Sequence, residues 1–69
     1  MLELKKYRVV AYYEENGGER MILTLERNGE VFDVETPGMP HDDLDVLMEG
    51  TARLAGKIEN GRIVEYWII

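Results

Sequence analysis

Residues 21–34, MILTLERNGEVFDV, decide the fold that this sequence predicts. Apolar and polar side chains alternate on both sides of Asn28-Gly29. This dipeptide is the strongest short-range signal for a β-hairpin, because both residues tolerate the positive φ of a tight turn. With a two-residue loop, the facing pairs are Leu25 with Phe32, Leu23 with Val34, and Thr24 with Asp33. Apolar residues then meet apolar residues, which specifies the register of the two strands.

A second hairpin is predicted on the N-terminal side, around Asn16-Gly17-Gly18. A three-residue loop there sets five facing pairs: Val9 with Leu25, Ala11 with Leu23, Tyr13 with Met21, Arg8 with Glu26, and Glu14 with Arg20. The last two are pairs of opposite charge, each worth from a few tenths to about 1 kcal/mol. The two hairpins agree on one register, and three strands are therefore expected side by side.

The pattern changes after Thr36. Pro37-Gly38-Met39-Pro40 cannot continue a strand, and His41 or Asp42 is expected to be the N-cap of a helix. Asp43 and Asp45 fall in its first turn. The apolar stripe of this helix comprises Leu44, Leu47, Met48, Thr51, Leu54, Ala55 and Ile58. Gly56 is the expected C-terminal stop, whereas Gly50 lies inside the predicted helix and costs about 1 kcal/mol there relative to alanine.

The last segment, residues 62–69 (RIVEYWII), is rich in β-branched and aromatic residues and predicts a final strand. Strands over about 4–15, 19–27, 30–36 and 62–69, with a helix over 42–55, give an α+β fold. We expect a four-stranded, mostly antiparallel sheet in the order β-β-β-α-β, with the single helix packed on one face. Asn60-Gly61 leaves open a third hairpin, in which Lys57-Ile58-Glu59 pairs across this turn with the last strand. The 69 residues form one small domain.

Charge is distributed unevenly along the chain, whose net charge is −6. Residues 28–52 contain no lysine or arginine, and their acids are Glu30, Asp33, Glu35, Asp42, Asp43, Asp45 and Glu49. Such a surface repels phosphates, so we expect no direct contact with nucleic acid. The chain has no cysteine, and no apolar run approaches the roughly 20 residues needed to cross a bilayer. We therefore expect a cytoplasmic protein without membrane contact.

Catalytic motifs are nearly absent. The chain has one histidine, no cysteine and no glycine-rich phosphate loop, so we expect neither enzymatic activity nor a cofactor. His41 and Asp45 are four residues apart on the predicted helix and could share a divalent ion. Acids in a first helical turn are already explained by the macrodipole, so we predict no metal site.

A single helix leaves one side of a four-stranded sheet open. The predicted partner-binding residues on and around that side are Val10, Tyr12, Ile22, Asp33, Glu35, Tyr66, Trp67 and Ile69. The last strand is apolar on both faces, so it exposes either Ile63, Trp67 and Ile69 or Val64, Tyr66 and Ile68. Contiguous exposed apolar surface on a small protein marks an interface. We expect a protein partner or a second copy of the chain, with a homodimer favoured.

Two resemblances bear on function. Residues 56–67, GKIENGRIVEYW, resemble the closing hairpin of ketosteroid-isomerase-like domains, which implies a hairpin here and nothing about activity. In size, acidity and single-domain character the chain is similar to small phage-encoded inhibitors of host defence such as anti-CRISPR proteins. The sequence thus predicts a non-enzymatic protein-binding module, for example an inhibitor or regulatory protein. Two alternatives stay open: an acidic nucleic-acid mimic that occupies a basic groove, and a metal or small-molecule site near His41.

Overall fold

The computed structural model describes residues 5–15, 17 and 19–69, and within them it contains five strands and one helix. In chain order these are β1 (Lys6–Glu15), β2 (Arg20–Arg27), β3 (Glu30–Pro37), α1 (His41–Glu49), β4 (Leu54–Glu59) and β5 (Arg62–Ile68). The expected strand-rich fold with one helix is confirmed. The expected number of four strands is wrong, because residues 54–59, which begin at the end of the predicted helix, form the additional strand β4. Leu4, Asn16 and Gly18 of the predicted first hairpin lie outside the described residues.

The strands close into a barrel in the order β1-β2-β3-β5-β4, with β4 paired back to β1. Neighbouring strands are antiparallel, except that β3 and β5 are parallel. A five-stranded Greek-key barrel with a helix between β3 and β4 is the arrangement of the OB-fold. The prediction of an open sheet covered by a helix on one face is therefore wrong. The inner face of the barrel forms the core, and its outer face meets solvent.

The core combines side chains from the inside of the barrel with two leucines of the helix. Its buried members are Tyr7, Val9, Met21, Leu23, Leu25, Val34, Met39, Leu44, Leu47, Leu54 and Ile63. Leu23 and Leu25 are fully buried, and such a leucine contributes on the order of 1.5–3 kcal/mol. Within the described residues, no helix has the length and apolar character needed to cross a membrane.

The hairpin of β2 and β3 has the predicted register. Leu25 pairs with Phe32, Leu23 with Val34, and Thr24 with Asp33. Asn28 and Gly29 have φ values of 54° and 85°, as a two-residue turn with two positive φ angles requires. Leu23 and Val34 are both buried, so the apolar pattern places this hairpin correctly in the barrel wall.

The pairing of β1 with β2 follows the prediction only as far as Val9. Arg8 faces Glu26 and Val9 faces Leu25 as expected, but Val10 is an extra residue that shifts the register. Beyond it the pairs are Ala11 with Thr24, Tyr12 with Leu23, Tyr13 with Ile22, Glu14 with Met21, and Glu15 with Arg20. The predicted pairs of Ala11, Tyr13 and Glu14 are therefore wrong. A β-bulge bends and twists a strand, as closure of a small barrel requires.

The helix ends earlier than predicted because of Gly50. This residue is the C-cap, with φ 84° in the left-handed region, and its N–H donates to the carbonyl of Leu47. Glycine adopts this conformation without the steric cost that other residues incur. The guanidinium of Arg53 donates to the carbonyl of Gly50 at 2.7 Å, which satisfies an acceptor at the helix end. The apolar residues from Leu54 onward then serve a strand instead of a helical stripe.

The third hairpin, which the sequence left open, is present as β4 and β5 around Asn60-Gly61, with φ values of 52° and 74°. Gly56 is not a helix stop but a strand residue. A Cβ on it would lie 2.6 Å from the backbone oxygen of Glu65, so the close approach of the two strands requires glycine. A register shift beside Ile58 interrupts the alternation of inward and outward side chains in β5.

The shift in β5 mixes the two predicted orientations of the last strand. Ile63 is buried, and Tyr66 and Ile68 pack against the core. Val64, Trp67 and Ile69 are exposed. Neither of the two alternative sets from the sequence is therefore correct as a whole, because a strict alternation cannot continue through a bulge.

β3 and β5 form a short parallel seam that consists of one residue pair. Glu35 pairs with Arg62, and the N–H of Glu35 donates to the carbonyl of Gly61 at 2.8 Å. Two residues farther along β3, the next N–H directed to β5 would come from residue 37, which is a proline and has none. Pro37 therefore stops the parallel ladder, and the two strands separate beyond it.

Candidate protein-binding surface

Tyr13, Ile22 and Glu35 form one row across β1, β2 and β3 on the outside of the barrel. Tyr13 pairs with Ile22, and Ile22 pairs with Glu35, so the three side chains project from the same face. Met21 and Leu23, on either side of Ile22 in β2, are buried and face the core. Alternation along the strand therefore directs this row outward, and Tyr13 is 65% exposed.

A network of four charged side chains borders this row. The Nε of Arg20 donates to Oε2 of Glu15 at 3.2 Å, and Arg20 also lies 3.5 Å from Oε1 of Glu35. Arg62 approaches the other oxygen of Glu35 at 3.6 Å. The hydrogen bond to Glu15 and the nearby negative charges raise the pKa of Arg20, so its charge persists. Exposed ion pairs add little stability, but this network places paired charges along the rim of the row.

The surface continues toward the turn between β2 and β3. The hydroxyl of Thr24 donates to Oδ1 of Asp33 at 2.8 Å, which orients the carboxylate. Val31 lies beyond this pair and is 62% exposed. Within the described part of the chain, no cation forms a salt bridge with Asp33. We call the following residues the outer surface: Tyr13, Ile22, Thr24, Val31, Asp33 and Glu35.

The bulge decides which tyrosine belongs to the outer surface. Tyr12, which the sequence predicted there, pairs with the fully buried Leu23 and projects from the opposite face of β1. Tyr13 takes its place, and Val10 is the half-buried extra residue. The structure does bring together the predicted Ile22, Asp33 and Glu35. Sequence reasoning missed Tyr13, because the two adjacent tyrosines offer an outward aromatic residue in either register.

Trp67 and Ile69 lie on a different part of the barrel from the outer surface. Trp67 pairs with Ala55, which in turn pairs with Lys6 of β1. Ile69 exchanges backbone hydrogen bonds with Arg53. Lys6 and Arg53 thus lie across from these two apolar residues, and Glu65 lies two residues before Trp67 on β5 itself, so the border there is of mixed charge.

Tyr66 belongs neither to the outer surface nor to the exposed area around Trp67 and Ile69. Its side chain packs against the core, and its hydroxyl donates to Oδ2 of Asp43 in α1 at 3.1 Å. Burial, and then the hydrogen bond and charge of Asp43, raise the pKa of Tyr66 above its ordinary value of 10.0. The residue connects the barrel to the helix.

His41 contacts β1 instead of the acids of its own helix. Its Nε2 lies 3.0 Å from Oε1 of Glu14, and its side chain is 77% exposed. The N-cap is Pro40, without a side-chain capping bond, so the predicted capping by His41 or Asp42 is wrong. Among the described residues, no group of three or more His, Cys, Asp or Glu side chains is placed to hold a metal ion.

Two shallow clefts lie along the open seam, with volumes of about 130 and 430 Å³. Both are bordered by Pro37, Ile63 and Val64. They mark the place where β3 and β5 separate.

Comparisons of the chain with protein-family models, with curated proteins and with solved structures give no match. A function is therefore argued from the geometry of this chain's own residues, because a fold alone does not determine one.

Proposed function

We propose that this chain is a non-enzymatic protein-binding module, a small inhibitor or regulatory protein, that contacts its partner through the outer surface. One observation carries the proposal: Tyr13 and Ile22 lie side by side on the outside of the barrel, bordered by paired charges. Protein interfaces have this organisation of an apolar centre and a polar rim. Tyrosine is also among the residues that contribute most to binding energy.

The charge of the surface favours a particular kind of partner. OB-folds bind oligonucleotides or oligosaccharides on the corresponding strands. Here Asp33 and Glu35 stand on that face, and their carboxylates repel phosphates. A protein that presents an apolar pocket for Tyr13 and a lysine or arginine opposite Asp33 fits better. Because the chain has no cysteine, a reducing compartment suits it, and we propose the cytoplasm.

The two alternatives have weaker support. A nucleic-acid mimic needs a continuous stripe of free carboxylates, but Glu35 is already in contact with Arg20 and Arg62. The nucleic-acid mimic then rests on the exposed acids of the helix, which are Asp42, Asp45 and Glu49. A site near His41 lacks a third ligand among the described residues.

The matched pair Tyr13 and Tyr12 gives the test of the proposal. Affinity capture from the native host is performed with the unchanged chain, with Tyr13→Glu and with Tyr12→Glu. We expect the partner to be lost with Tyr13→Glu and retained with Tyr12→Glu, because only Tyr13 projects from the outer surface. Equal retention by both variants, or loss with Tyr12→Glu alone, rejects this surface as the site.

A further inference from the structure

β5 has a free edge over its last residues. Arg53 and Ile69 exchange both backbone hydrogen bonds, at 2.8 and 3.0 Å. Because bonding alternates along an antiparallel pair, Trp67 also bonds toward β4, and the N–H and C=O groups of Tyr66 and Ile68 point away from it. Within the described residues, β5 pairs with β3 only at Arg62. The groups at Tyr66 and Ile68 therefore have no strand partner among the described residues.

The residues along this edge lack the side chains that commonly guard an exposed strand against pairing. Proteins commonly guard an exposed edge with lysine, proline or another charged residue. Residues 66–69 are YWII, which contains no such residue. Trp67 is 43% exposed and Ile69 is 55% exposed. An uncharged edge beside exposed apolar side chains is a template for a further strand.

We propose that β5 pairs antiparallel with β5 of a second copy of this chain, with Trp67 on the two-fold axis. In this register Trp67 faces Trp67 of the second copy, Tyr66 faces Ile68, and Glu65 faces Ile69. The free backbone groups of Tyr66 and Ile68 then exchange hydrogen bonds between copies. A two-fold contact of one strand with itself is self-complementary, which is the commonest symmetry of oligomers.

The side chains and charges along β5 favour a second copy as the occupant. The central row holds two tryptophans flanked by Ala55 of each copy, and cross-strand aromatic pairs are stabilising. In the adjacent row, Ile69 of one copy stands between its own Arg53 and Glu65 of the other. No like charges face each other directly in this register. Tyr13 and Ile22, on β1 and β2, are not part of the contact, so the inference stands independently of the proposed function.

A single introduced thiol tests the register, because the chain has no cysteine of its own. Facing residues that do not exchange hydrogen bonds have Cα atoms about 4.5 Å apart, within the range that a disulfide spans. Under mild oxidation we expect Trp67→Cys to form a covalent dimer at micromolar concentration. Tyr13→Cys, also at an exposed strand position, is the control and is expected to remain monomeric. Cross-linking of Tyr13→Cys at the same rate overturns the proposed register.

Charge variants at Trp67 provide the second test. Trp67→Glu and Trp67→Lys, each alone, place like charges on the axis, and we expect at least a tenfold weaker dimer than the unchanged chain forms. An equal mixture of the two is expected to form the heterodimer. Circular dichroism checks that both variants fold. Sedimentation equilibrium that shows the unchanged chain as a monomer up to millimolar concentration overturns the proposal, as does a mixture that stays monomeric.

Discussion

Tyr66 of β5 donates a 3.1 Å hydrogen bond to Asp43 of α1 and so connects the last strand to the first turn of the helix. The two residues are 23 positions apart in the sequence. The acid was expected to act within its own helix, where first-turn carboxylates offset the macrodipole. In the structure it also accepts a bond from the barrel, which ties the helix to β5.

The Tyr66–Asp43 bond predicts a pH-dependent contribution to stability. The pKa of folded Tyr66 is raised above 10.0, so the contribution is complete below pH 10 and is lost as the pH rises through the raised folded pKa. We expect Tyr66→Phe to lower the free energy of unfolding by about 0.5–1.5 kcal/mol at pH 7. Urea unfolding at pH 7, 9 and 11 measures the difference, which should shrink at the highest pH. A difference that grows with pH contradicts this assignment.

The substitution Gly50→Ala distinguishes the observed end of the helix from the longer predicted helix, because the two structures predict opposite changes in stability. In a helix interior, Gly50→Ala stabilises a protein by about 1 kcal/mol. At the observed φ of 84°, alanine instead costs about 1–2 kcal/mol. Apart from the adjacent residues, no described residue has a heavy atom within 4 Å of a Cβ at this position, so changes in packing do not contribute to the effect.

We therefore expect thermal unfolding to show Gly50→Ala destabilised and Gly50→Asn less so, because asparagine tolerates the left-handed region. An increase in the melting temperature of Gly50→Ala supports the helix over 42–55 and contradicts the cap.

Gly56 is expected to be sensitive to the smallest enlargement. A Cβ there lies 2.6 Å from the backbone oxygen of Glu65, and a strand backbone cannot move aside cheaply. We expect Gly56→Ala to cost about 1–3 kcal/mol, the range found for overpacking. Lys57→Ala, at the next and exposed position, is the control and should change stability by less than about 0.5 kcal/mol. Equal effects in urea unfolding are incompatible with the close approach of β4 and β5.

The parts of the fold that the sequence predicts correctly are those determined by local signals. Asn28-Gly29 and Asn60-Gly61 mark turns through their tolerance of positive φ, and the apolar alternation of β2 and β3 specifies their register. The bulge at Val10 has no such signal. It belongs to the curvature of a closed barrel, which depends on contacts between strands far apart in the sequence.

The end of the helix shows a second limit of the sequence pattern. Leu54 and Ala55 continue a helical apolar stripe as well as they begin a buried strand, and a short apolar run does not distinguish the two. Gly50 is the deciding residue, although its left-handed conformation is visible only in the structure. Two departures from the predicted sheet affect the candidate site. The bulge exchanges Tyr12 for Tyr13. β5 pairs with β3 only at Arg62, which leaves Trp67 away from the acids of β3.

The central claim is that the outer surface, centred on Tyr13, is the site of partner binding. Isothermal titration of the captured partner, with the unchanged chain, Tyr13→Ala and Tyr12→Ala, tests it most directly. Loss of a central aromatic contact costs 2 kcal/mol or more, so we expect Kd to rise about 30-fold or more for Tyr13→Ala. For Tyr12→Ala we expect a change below about threefold. A similar Kd for both variants, or a greater loss for Tyr12→Ala, contradicts the account.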